Sequence, residues 1–384
     1  MIAPTIAAIA WQATAFAASR APDTRMARRS TTRWATGIVA VALSSLAIPG
    51  EPAVPLIAVC LSGLLITALT PAAHSPTILS RALRIVAVSC ALLAIRIPGV
   101  DVGLWLISIV LVWSMLRDRP DGLDRLFVLY QIPAVVFLGL GEIFPGPVGD
   151  VFLLLAVAAR LAVFPLHSWF PRFVARAPLS VVVAYLSAPM PLPSTVAAPG
   201  LGAVTALLAA WVAVALVDAR RSLAYLLISA HGLVLAGADQ SVALVATAGL
   251  TMTVAILAAR REPLTLGAPG GDLSATPRMA FAYLIFAMAL AGFPLLPTFA
   301  DEHRVLASAS PFIAVAVIGA QTLAGITAMR GFLGLFTHAK YPTGERDLTP
   351  LENYALAATL AALLVTGLAP SLLPPPNQQV TANR

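Results

Sequence analysis

The chain alternates long apolar runs with short breaks that carry charge, proline or glycine, and this rhythm holds across nearly all of its 384 residues. Apolar segments fall at 1–19, 35–49, 52–70, 82–97, 101–117, 126–143, 149–166, 179–197, 199–217, 223–238, 242–259, 279–298, 311–330 and 353–373. Crossing a bilayer takes about 20 helical residues, within a range of about 17–25, so the runs predict about fourteen membrane helices whose ends reach into the polar flanks. The expected fold class is all-α and polytopic.

Charge adds a direction to this ladder. If the segments alternate across the membrane, one set of loops holds Arg20, Arg25, Arg28, Arg29, Arg33, Arg81, Arg84, Arg117, Arg119, Arg125, Arg172 and Arg176. Arg220, Arg221, Arg260, Arg261, Arg278, Arg330, Lys340 and Arg346 fall on the same side, so 20 of the 24 basic residues share one face. The opposite face keeps Arg96, Arg304 and Arg384, and Arg160 lies within the membrane. The positive-inside rule makes the crowded face cytoplasmic and the N-terminus external, in a multi-pass protein of the cell (inner) membrane. Residues 1–19 differ from a signal peptide because their arginines follow the apolar stretch, which is the order of a retained first helix. Ala15-Phe16-Ala17 still has the form of a cleavage site.

Composition narrows the function. Hydrophobic residues make up 59% of the chain and charged residues 11%, while a soluble domain carries about twice that charge. The net charge of +7 does not gather into a patch, so no nucleic-acid partner is expected; the lipid bilayer is. Cys60 and Cys90 sit alone in apolar runs and read as small core residues without ligand spacing. The chain has no Walker loop, zinc spacing, nucleophile elbow or dinucleotide fingerprint. No catalytic residue, metal ligand or cofactor is assigned.

The stretch 160–178 is the richest in chemistry. It sets Arg160 in an apolar run, breaks at Pro165, and continues through His167, Trp169, Pro171 and Arg172 to Ala177-Pro178. An intramembrane arginine costs about 2.5–3.5 kcal/mol on insertion scales, so it faces a polar cavity or a partner. The segment closely resembles the signature of the antiporter-like, proton-conducting membrane subunits of respiratory complex I, membrane-bound hydrogenases and multisubunit cation/proton antiporters. In that family a lysine stands five residues before a Pro-x-His-x-Trp-x-Pro turn, and Arg160 occupies the lysine position here. The run from Asp218 to Gly232 is similar to a second family motif, and Leu290 to Phe299, with Pro294 and Pro297, resembles the family's later broken helix. These resemblances span about residues 101–340. They imply a core of two inverted five-helix repeats with broken helices, flanked by N-terminal helices at 1–100 and, at 341–384, by a loop, a last helix and a Pro-rich tail.

The departures limit what the resemblance implies. The family's proton path uses buried lysines and a fifth-helix glutamate, but the one lysine here is Lys340, in an expected cytoplasmic loop. No acidic residue stands between Asp101 and Asp118, and the eighth-helix lysine falls near Met190 or Pro191. Arginine effectively never deprotonates in a protein, so Arg160 can bias its surroundings but cannot pass a proton on. His167 titrates near neutral pH and suits a relay; it could equally bond carbonyls freed at Pro165. His231 is displaced by one residue from the family's histidine, which turns it about 100° around its helix. Arg330 is the other cation kept near a family position. Glu142, Asp301 and Glu302 are weaker path candidates, expected to flank outer loops, and Trp169 and Phe170 read as interfacial anchors. Helix breaks are expected at Pro165, Pro191, Pro294 and Pro297.

By resemblance, the chain reads as an antiporter-like subunit of an ion-coupled complex, with its own channel altered or inactive. Its expected partners are other integral membrane subunits, with a soluble cytoplasmic module supplying any redox chemistry. The alternatives are a structural subunit derived from a pump and an independent small-molecule carrier, for which Tyr185, Ser187 and Thr298 would supply polar contacts.

Overall fold

A computed structural model describes residues 1–95, 97, 99–117, 119, 121–189, 198–261, 263–267, 270–337 and 346–369. Sixteen α-helices and no strand occur among the described residues. Six are long and apolar enough to cross a membrane by length and composition: α1 (Ile2–Ser19), α4 (Pro76–Ala94), α6 (Leu123–Ile143), α12 (Gln240–Arg260), α15 (Pro311–Phe336) and α16 (Pro350–Leu368). Shorter apolar helices are α3 (Ala53–Leu69), α5 (Val100–Leu116), α10 (Pro199–Ala215) and α13 (Pro277–Leu290). The others are α2 (Thr24–Ser44), α7 (Pro147–Arg160), α8 (Phe170–Arg176), α9 (Leu179–Ser187), α11 (Ala219–Leu235) and α14 (Pro297–Ser308). The helices gather into two compact units, one from residues 1–198 and one from 199–370, and the division falls inside the stretch 101–340.

Helix starts follow local chemistry. Asp23 accepts from Met26 N and starts α2 well before its apolar stretch. Asp218 and Asp239 cap α11 and α12 in the same way, and Thr349 with Glu352 forms a capping box on α16. Proline opens α4, α7, α13, α14, α15 and α16, where its missing N–H would have had no partner in any case.

Two helices stop in mid-run by the same device. After α7, Ala162 adopts φ 55° and Val163 N donates back to Ala158 O at 2.9 Å. After α13, Gly292 adopts φ 65° and Phe293 N donates back to Met288 O at 3.1 Å. Each is a left-handed residue closed by a bond spanning five residues, which satisfies carbonyls that lipid could not. Pro165 follows the first stop, and Pro294 and Pro297 follow the second; a proline cannot continue a helix across either. Leu295 also has positive φ, at 75°.

Each unit is built around one thoroughly buried helix. In the first, α3 is covered without interruption from Ala58 to Leu69; in the second, α12 is buried on nearly every face. Helices that are apolar all round belong at such centres. Also in the second unit, Gly202 of α10 and Gly232 of α11 bring the two backbones together, and a Cβ on Gly232 would lie 2.6 Å from Ala206 N.

Several arginines end on helix C-termini. Arg28 donates to Ala68 O of α3, Arg81 to Ser114 O of α5 at 2.8 Å, and Arg119 to Arg176 O of α8. In the second unit, Arg261 reaches Leu335 O of α15 at 3.0 Å and Arg330 reaches Leu216 O, just past α10, at 2.7 Å. The last carbonyls of a helix lack intrahelical partners and carry partial negative charge, so a cation there satisfies both.

Candidate functional site

Arg160 is the last residue of α7 and is 1% exposed. The Schellman-type stop holds its backbone in place and leaves the side chain between α5 and α9. Its guanidinium carbon lies 3.9 Å from the centroid of the Tyr185 ring and 5.2 Å from that of Trp105. Nη2 donates to Tyr185 O at 3.2 Å. The Tyr185 hydroxyl has two acceptors for its one proton, Arg160 O at 2.8 Å and Gln131 Oε1 at 3.1 Å. Among the described residues no carboxylate pairs with Arg160.

Magnitudes explain why none is required. A desolvated cation–π contact contributes about 2 kcal/mol and a hydrogen bond from a charged group about 1.5–3 kcal/mol. Two rings and one carbonyl together exceed the insertion cost of about 2.5–3.5 kcal/mol for an arginine. Nε and Nη1, buried without a hydrogen-bond partner among the described residues, take back part of that margin. The result is a caged permanent cation.

Among the described residues the other expected residues of the first unit do not bond Arg160, although Trp169 packs on Tyr185 of its cage. His167 is half-buried in the break, its ring stacked on Phe164 with centroids 3.7 Å apart, and it is not among the partners of Arg160. Pro165 occupies the same break. Glu142 accepts from Gly99 N at 2.7 Å, which places a carboxylate at the start of α5. Trp169 departs from the expected interfacial anchor: it is 1% exposed and packs edge-on to Phe127 and Tyr185 at 5.7 and 5.6 Å, with Phe170 and Phe173 beside it. The break folds α8 back onto α6 and α9, so the aromatic run points inward.

In the second unit Asp301 and Glu302 are not in a solvated loop. They lie on α14 and are 4% and 9% exposed. Asp301 pairs with Arg304 at 2.9 Å and accepts from Asp239 N, the cap of α12. Glu302 accepts from the Gln321 side-chain amide of α15 and lies where a Cβ on Gly292 would be. The glycine of the broken helix therefore makes room for this carboxyl, whose partner is a neutral amide. His231 is buried on α11 beside the close α10 contact. Arg330 lies within α15, six residues before its end, and holds the end of α10. Pro191 lies outside the described residues.

Sequence reasoning missed Trp105 of α5, whose ring faces Arg160, and Gln131 of α6, which accepts from the Tyr185 hydroxyl. It named Tyr185 only as a substrate contact for a carrier; its ring, carbonyl and hydroxyl are all engaged around Arg160. Ser187 is likewise occupied, with Ser89 at 3.1 Å.

No protein-family model matches the chain. It is 27% identical over 271 residues to F420H2 dehydrogenase subunit M of Methanosarcina mazei, a match covering 59% of this chain and 54% of that protein. The chain thus spans about half the length of the curated relative it matches. In fold it is similar to a chain of respiratory complex I from Thermus thermophilus, with a TM-score of 0.83, 20% identity and 96% of each chain covered. It is also similar to a chain of the Mrp complex from a Dietzia species, with a TM-score of 0.78, 15% identity and coverage of 100% of this chain and 97% of that one. The fold is thus shared with membrane-complex chains of respiratory complex I and of Mrp.

Proposed function

We propose that this chain is an antiporter-like subunit of an ion-coupled membrane complex, taking part in proton or cation translocation through an altered path. The observation that carries this is the pairing of two broken helices, each with an ionisable side chain at its stop: Arg160 in the first unit and Glu302 in the second. The two differ in what they can do. Arg160 keeps its proton and acts as a fixed charge. Glu302 can gain and lose one, against an amide that tolerates both states. Ion movement is therefore assigned to the carboxyl of the second unit, and the first unit is the altered half.

The remaining architecture follows the same reading. The chain crosses the cell membrane about fourteen times with its N-terminus outside. Residues 101–340 form a core of two inverted five-helix repeats, with additional helices at 1–100 and 341–384. Within each unit the arginine contacts support this orientation, since they hold basic side chains at the C-terminal ends of α3 and α5 in the first and of α10 and α15 in the second. Its partners are other integral membrane subunits and a soluble cytoplasmic module, which would hold any cofactor and perform any redox chemistry.

Purification through an affinity tag in mild detergent tests this reading. Stable recovery together with other membrane proteins is expected; a monodisperse single chain that transports a solute would replace it with the carrier. The caged arginine also favours a second reading, a structural subunit derived from a pump. On that reading, proton flux through the assembled complex is indifferent to Glu302→Gln.

A further inference from the structure

In the second unit a cleft of about 430 Å³ opens beside Arg330 of α15, walled by Leu266, Ile326, Met329 and Leu333 and floored by Gly334. Apart from the arginine the lining is apolar, and Ile326, Met329 and Leu333 are 49%, 43% and 49% exposed. Arg330 turns Nη1 toward the carbonyls of Val214 and Leu216, and among the described residues no carboxylate pairs with it.

Depth identifies the surroundings. Arg330 stands 19 residues beyond Pro311, the first residue of α15, which at 1.5 Å per residue is about 29 Å along the helix. The hydrocarbon core is about 30 Å thick, so on the proposed topology, with α15 entering the core at Pro311, the guanidinium lies where acyl chains give way to headgroups. A cation at that depth, above an exposed apolar wall, complements an amphiphile with a negative head.

We propose that the cleft is a binding site for one anionic phospholipid. Its phosphate meets the free edge of the Arg330 guanidinium, and one acyl chain lies along Ile326, Met329 and Leu333. The bound lipid then braces the joint at which Arg330 holds the end of α10. This use of Arg330 replaces its place on an ion path.

The test uses the full chain in its native complex, in nanodiscs of phosphatidylcholine with or without phosphatidylglycerol. Met329→Trp places a reporter in the cleft without touching the Arg330 bonds. Its fluorescence should be quenched by dibrominated phosphatidylglycerol at about one-fifth the mole fraction needed for dibrominated phosphatidylcholine, as expected for one basic contact at the interface. Adding Arg330→Gln should erase that preference, and Arg330→Lys should keep most of it. Inorganic phosphate should not relieve the quenching. Equal quenching by both lipids in the Met329→Trp protein, a preference that survives Arg330→Gln, or relief by free phosphate would each overturn the proposal. Ile326→Trp provides a second reporter if Met329→Trp fails to assemble, read by the same criteria.

Discussion

At Arg160 an uncompensated charge and a buried position are reconciled by two aromatic faces and one carbonyl rather than by a carboxylate. Tyr185→Phe keeps the ring and loses the hydroxyl, so it should cost about 1 kcal/mol of stability. Tyr185→Leu also loses the cation–π contact and should cost about 2–4 kcal/mol. Thermal unfolding in detergent reads both; a Leu variant as stable as the Phe variant would remove the ring from the account. The sequence made Arg160 conspicuous, because a charge in an apolar run has to be explained. It did not reveal the cage. Trp105 and Gln131 come from helices far away in the chain, and periodicity does not say which way those helices are rotated. Glu302 was misjudged for a related reason. It follows the prolines of the second break, which read as the way out to solvent, whereas α14 carries it back into the packed interior.

The elements themselves were more legible. Apolar runs located nearly every helix, and Pro165, Pro294 and Pro297 marked the two breaks. What hydropathy could not give was the stopping geometry, since a left-handed residue and its closing bond leave no apolar signal. Gly292 is the usual residue for that conformation, but Ala162 carries a Cβ there at a cost of roughly 1–2 kcal/mol. Ala162→Gly should therefore raise the unfolding temperature, and a lower one would mean that the Ala162 methyl packs more favourably than its backbone is strained. The α10–α11 contact is the opposite case, because small residues are required there. Gly232→Leu should separate the two backbones and sharply reduce the recovery of folded protein, while Gly37→Leu, whose Cβ would meet nothing within 4 Å, should be tolerated. The helix-end arginines belong to this scale too. Arg81→Gln should cost about 0.3–2 kcal/mol through the lost carbonyl contact at α5, measured by the same unfolding experiment.

At the scale of the whole chain, the segregation of basic residues led to an expected sidedness, and the arginine contacts show what several of those side chains hold once the chain is folded. On the proposed orientation, the side chains that bias insertion are also ones that hold helix C-termini. The division of labour between the units is the central claim: a fixed cation in the first, an exchangeable carboxyl in the second. Proton flux driven by a pH gradient, measured in liposomes containing the assembled complex, tests it most directly by comparing Arg160→Lys with Glu302→Gln. The account predicts that Arg160→Lys stays within about twofold of the parent, because a lysine in the aromatic cage has no acceptor to pass a proton to, while Glu302→Gln falls by on the order of tenfold or more. Flux that is raised or abolished by Arg160→Lys in an intact complex, with Glu302→Gln unchanged, would contradict it.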